Sequence, residues 1–228
     1  IADAETAFKT YAATPNSELL TSLQSQVKSS HNSLVRLMFF KTNFSAMEEN
    51  LLEQSLNFHP IRVDVIQDLI SKGEWDFELI SSYSSQGMGA LEFLLFDEQM
   101  VATFATNQSF IQALFTSMKG QIAAVRKSWE NENSAEVKSA KGNDSNSGLS
   151  NIVNAFLNHF EDIKRDRLSA PLGNMFITES DLTIAEGYYS SSIMEYIHNG
   201  LVKAEEIYLG KSSNGFEGPG LFTVLEKT

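Results

Sequence analysis

From Gly87 to Asp97 the chain reads Gly-Met-Gly-Ala-Leu-Glu-Phe-Leu-Leu-Phe-Asp, a small-residue start followed by an apolar run broken by Glu92. On a helix, positions 88, 89, 92, 95 and 96 share a face. The Glu92 carboxylate therefore lies beside Met88, Leu95 and the gap over Gly89, at least half buried. Left unpaired it would cost several kcal/mol, so it needs a cationic or donor partner, or a raised pKa. Two chemistries follow. A structural ion pair would fix helix packing, with Gly89 and Ala90 letting a neighbouring helix approach. A carboxylate facing a cleft would instead hold a ligand.

The other chemistry-bearing residues are sparse. The histidines are His31, His59, His159 and His198, and no His-Glu-x-x-His pairing occurs. His31 borders an apolar helical stripe and reads as a satisfied packing residue. His198 reads as the flank of a late helix, and His159, beside Glu161 and Asp162, as a solvated face. His59 stands just before Pro60. There are no cysteines, which excludes disulfides, zinc-thiolate sites and thiol catalysis. No Gly-rich phosphate loop follows a strand.

The segment around Glu92 resembles the imelysin-like family of bacterial exported proteins, which carry a Gly-x-His-x-x-Glu motif and then a hydrophobic run. Gly87, Glu92 and Phe93-Leu94-Leu95-Phe96 match, while Gly89 stands at the histidine position. The pattern is similar to the branch of predicted periplasmic lipoproteins. Ile61-Arg62-Val63-Asp64 matches an Arg-containing segment upstream, and Arg167-Leu168-Ser169-Ala170-Pro171-Leu172-Gly173 resembles a Lys-Leu-x-x-Pro-Leu-Gly stretch.

The resemblance implies two helical bundles with a site in the cleft between them, a zinc-type peptidase activity and a looser association with iron uptake. It also implies a periplasmic or cell-surface protein, with any lipid anchor outside this sequence. Family members continue beyond where this sequence stops, which implies a truncated chain or a short second bundle. The opening Ile1-Ala2-Asp3, without Met, reads as a processed or trimmed end.

Gly89 argues against the peptidase, because a catalytic zinc takes about three protein ligands and the motif keeps one carboxylate. The site expected is ligand-binding rather than catalytic, built from Glu92, Gly87, Gly89, Arg62, Asp64, His59 and Arg167. Arg62, Arg165 and Arg167 are the cations expected near Glu92. Asp64 and Asp97 are further carboxylates, although Asp97 also suits a helix end. The residues alone designate no cofactor; the resemblance makes a divalent or iron ion the one to test. The expected partner is a small ligand, an ion or a protein. A metallopeptidase with ligands recruited from elsewhere, such as His59, and a helical interaction scaffold are the alternatives.

The elements that must position these residues are helical. Leu19, Leu20, Leu23, Val27, Leu34, Leu37 and Met38 recur at three and four, after start signals at Pro15 and Asn16-Ser17. A second stripe runs from Phe110 to Trp129 and a third from Leu149 to Ile163. A fourth, from Leu182 to Tyr208, predicts one helix of roughly 30 residues and about 45 Å. Thr178 and Asp181 would open it as a capping box, and Gly210 would close it. Ile61 to Ile66 suits a strand on composition, but no partner strands are evident. Asn131 to Gly148 and Lys211 to Gly220 read as loops.

The fold expected is all-α: an elongated helical bundle of two packed up-and-down units, residues 1–105 with the Glu92 motif and residues 106–228, with one compact unit as the alternative. Hydrophobic residues make up 42% of the 228, enough for a packed core. The formal charge of −12 and the lack of any basic block disfavour nucleic acid. No stretch of about 18 apolar residues exists to span a membrane.

Overall fold

The computed structural model describes residues 1–41, 52–130, 135, 147–175 and 179–226. Among them the regular elements are all helical, with one isolated bridge between Lys211 and Glu217 and no strand. The elements are α1 (Ala2–Ala13), α2 (Ser17–Leu37), α3 (Val63–Lys72), α4 (Gly87–Phe96), α5 (Glu98–Ala102), α6 (Phe104–Ser128), α7 (Gly148–Asp162), α8 (Ile193–Leu209) and α9 (Leu221–Leu225). Two π-helical segments, Leu52–Leu56 and Ile163–Ser169, and three 3-10 turns join them.

Local chemistry sets these boundaries. Asn16 caps α2, its Oδ1 accepting from Leu19 N at 2.9 Å. Asp97 ends α4 and caps α5, accepting from Gln99 N and Met100 N. Gly210, at φ +70, terminates α8 in the left-handed conformation. Val63 starts a helix, so the Ile61 to Ile66 stretch is not a strand. The expected loop at 131–148 and Thr178 lie largely or wholly outside the described residues.

The core gathers α1, α2, α4 and α6. Phe8 packs on Phe104 and Phe115 at ring distances of 5.9 and 5.5 Å, and Trp75 and Phe77 both meet Phe110 edge-on. α4 is buried from Gly87 to Leu95, which explains why its sequence is apolar on every side. α6 packs across α1 and α4. α8 lies against α2, and α7 against α8.

One expectation fails. The stretch from Leu182 to Tyr208 is not a single helix: a 3-10 turn at Leu182–Ile184 and a turn region precede α8, which starts only at Ile193. The chain turns because Gly187 sits at φ +81 and Ser191 at φ 55, left-handed values that no helix tolerates. A Cβ at Gly187 would stand 2.7 Å from the Tyr196 ring, so this glycine also lets the turn fold down on α8.

Candidate functional site

Glu92 is 1% exposed on α4, and what meets it is a histidine and a tyrosine rather than an arginine. His31 of α2, wholly buried, sets Nδ1 2.7 Å from Glu92 Oε1. The Tyr196 hydroxyl of α8 donates to the same oxygen at 2.6 Å. On its other side, His31 Nε2 lies 2.9 Å from Asn57 Oδ1 and 3.0 Å from Glu186 Oε1. Asn57 Nδ2 donates to that Glu186 oxygen at 2.6 Å. The second Glu186 oxygen lies 2.9 Å from Arg167 Nη1 as an ion pair.

The bonding fixes the protons. A carboxylate only accepts, so His31 Nδ1 carries a hydrogen toward Glu92. Asn57 spends its amino group on Glu186 and so turns its oxygen to His31, which requires a hydrogen on Nε2 as well. His31 is therefore an imidazolium in this arrangement. Burial opposes that charge, but Glu92 and Glu186 outweigh it and raise the pKa to about 9. Burial pushes the Glu92 and Glu186 carboxyls up; the His31 charge, joined at Glu186 by Arg167, more than reverses this and holds both below the usual range. Burial and the Glu92 charge push the Tyr196 phenol well up, keeping it a donor. His31 and Arg167 balance Glu92 and Glu186, so the centre is formally neutral and each carboxylate is hydrogen-bonded.

Each side chain comes from a different segment. His31 occupies a place in the α2 stripe of Leu23, Val27 and Leu34 that a hydrophobe would otherwise fill. Asn57 follows the π segment Leu52–Leu56, which opposes Gly87. A Cβ at Gly87, whose φ is +76, would stand 2.6 Å from the Leu56 carbonyl oxygen. Glu186 sits in the turn before Gly187, and Arg167 in the π segment after α7.

Of the expected site residues, Glu92, His59, Gly89, Gly87 and Arg167 gather here. His59 stacks parallel to His31 at 6.2 Å between ring centroids. Its Cε1 lies 3.0 Å from where a Gly89 Cβ would stand. Burial drives its pKa down to about 4, and its Nε2 is out of solvent with no hydrogen-bond partner. Arg62 and Asp64 do not join the centre: they pair with each other at 2.9 and 2.5 Å, exposed, ahead of and within α3. Arg165 pairs with Asp166 at the surface.

His31, read as a packing residue, is the centre's hub. His159, read as solvated, is buried with Nε2 3.1 Å from the Gly200 carbonyl oxygen, to which its N–H donates. His198 is exposed, as its flank position implied. Asn57, Glu186 and Tyr196 were not anticipated. The spacing of His31 four residues after Val27 was the available sign of its inward direction, and Tyr196 lies on the stripe that runs to Tyr208; nothing local marked Asn57 or Glu186.

A metal finds no ligand set in the motif itself, since Gly89 has no side chain and Glu92 Oε1 already serves two donors. Beside it, His31, His59 and Glu186 each offer one ligand atom, all within 4.8 Å of one another. Two imidazoles and a carboxylate suit a borderline divalent ion.

Fold and centre together define a helical protein with a charge-balanced histidine–carboxylate core site. The family model described as imelysin matches residues 1–228, and the chain belongs to that family. No curated protein and no solved structure is a significant match. Among the described residues no helix is long and apolar enough to cross a membrane.

Proposed function

We propose that this imelysin-family chain is a non-catalytic binding protein of the bacterial periplasm or cell surface, with a role linked to iron uptake, holding a small ligand or ion at the centre around Glu92. The observation that carries this reading is the burial of His31, Glu92, Asn57 and Glu186 with Arg167 in one network. An apolar core of the same volume would cost less to assemble, since buried ion pairs rarely exceed the stability of well-packed hydrophobes. Perturbed titrating groups gathered around an unpaired His59 Nε2 favour a site over a packing device. Gly89 in place of a motif histidine supports binding without peptide hydrolysis.

Thermal shift of the protein and of Glu92→Gln against divalent cations, small carboxylates and phosphate tests this. A ligand that stabilises the parent more than the variant supports it. Equal response of both to every ligand removes Glu92 from the site.

A further inference from the structure

We propose that His31, His59 and Glu186 form a mononuclear site for a divalent transition cation, with Glu92 acting behind His31 as a positioning residue. This rests on the reading of the centre as a binding site and names the ligand class. The ligands come from α2, from the segment before α3 and from the turn before α8, all outside the Gly87–Glu92 motif.

Geometry supports the assignment. The three ligand atoms lie within 4.8 Å of one another. Around a tetrahedral ion with bonds of about 2.1 Å, donor atoms stand about 3.4 Å apart; His31 Nε2 and Glu186 Oε1, at 3.0 Å, are already close enough, and any wider pair must close by no more than about 1.4 Å. His59 Nε2 is the unpartnered atom, out of solvent. Gly89 makes room for that ring: a Cβ there would meet His59 Cε1 at 3.0 Å and Ile61 Cγ2 at 2.7 Å.

The arrangement of His31 supplies the rest. Its Nε2 faces Glu186 and Asn57, and its Nδ1–H is held by Glu92. An entering cation takes the place of the Nε2 proton, which leaves to solvent. Nδ1–H remains on Glu92, giving the carboxylate–histidine–metal relay that orients a ligating imidazole. Two nitrogens and one oxygen favour zinc, cobalt, nickel or ferrous ion over calcium or magnesium, which take oxygen ligands. Exchanging a proton for a divalent ion leaves one excess positive charge near Arg167, so the fourth position suits water, hydroxide or a small anion.

The test is titration of chelator-stripped full chain with Co²⁺, following visible absorption, and metal content after loading with Zn²⁺. The result expected is one equivalent bound with tetrahedral-type absorption, and affinity reduced at least about 100-fold in His59→Ala with an unchanged far-ultraviolet circular dichroism spectrum. Glu92→Gln, whose amide oxygen still accepts from His31 Nδ1, should bind about 10-fold more weakly, and Glu92→Leu about 100-fold, within the range for such outer residues. That graded rescue separates positioning from ligation. If the Glu92 variants do not fold, His59→Ala decides alone. Absence of Co²⁺ absorption, or binding unaffected by His59→Ala, overturns the metal site. If Glu92-dependent stabilisation by a carboxylate or phosphate persists in that case, the centre is a binding site for another ligand; if neither appears, both readings fall.

Discussion

The imidazole of His59 stands where a side chain at position 89 would project, its Cε1 3.0 Å from the place of the missing Cβ. The two residues compete for one volume. Gly89→Ala should therefore destabilise the protein by about 1–3 kcal/mol, the usual range for an overpacked core. Combining Gly89→Ala with His59→Gly should recover part of that loss. Urea denaturation of the four proteins in this cycle checks it; strictly additive losses would show that Ile61, at 2.7 Å, sets the limit instead.

His31 and Tyr196 should differ sharply in what their removal costs. His31→Leu leaves Glu92 and Glu186 buried without the cation between them, and breaking such a pair costs about 3–5 kcal/mol. Tyr196→Phe removes one hydrogen bond to a charged acceptor, about 1.5–3 kcal/mol. Unfolding free energies of the two variants give the comparison. A smaller loss for His31→Leu would contradict the imidazolium assignment.

The partly buried Glu206 receives Arg36 Nη2 at 2.7 and 2.8 Å. Burial raises its pKa, but Arg36 and Ser213 outweigh that and lower it to about 2 from 4.5. A depressed carboxylate pKa gives stability that is complete above the unfolded value and is lost as pH falls through the folded one. The advantage of the parent over Glu206→Gln should thus be full above about pH 4.5 and gone near pH 2. Melting temperatures of both proteins across that window test the sign; a gap that widens in acid would refute it.

Gly187 should prove sensitive through its neighbour. Alanine there meets both an unfavourable φ of +81 and the Tyr196 ring at 2.7 Å. A loss of about 1–3 kcal/mol is expected, and Glu186 should shift with the turn. Co²⁺ affinity of Gly187→Ala, measured beside its stability, should fall, while an exposed control such as Arg62→Ala keeps the parent value.

Much of the fold was readable from spacing alone. The stripes of α2, α6 and α7, the Asn16 start and the Gly210 end all follow from side-chain periodicity and backbone chemistry. The false long helix arose because Leu182, Ala185 and Tyr188 fall in phase with α8, while the left-handed residues Gly187 and Ser191 carry no mark in a periodicity count. Glu92 was legible as a buried carboxylate because polarity within an apolar run is a local signal. Its partners were not. His31 is 61 positions away and Tyr196 is 104, and only tertiary packing brings them within reach.

The span from His31 to Glu186 covers 155 positions, and the hydrogen bonds to Glu92 and Asn57 and the ion pair with Arg167 tie in three further segments. Contacts this distant in sequence carry a loop-closure cost that their gain must offset. Without them each charge is better left in water than half enclosed. The centre thus ties five segments to one condition: α2 lies buried against α4 without an uncompensated charge only when the Glu186 turn and Arg167 are also in place.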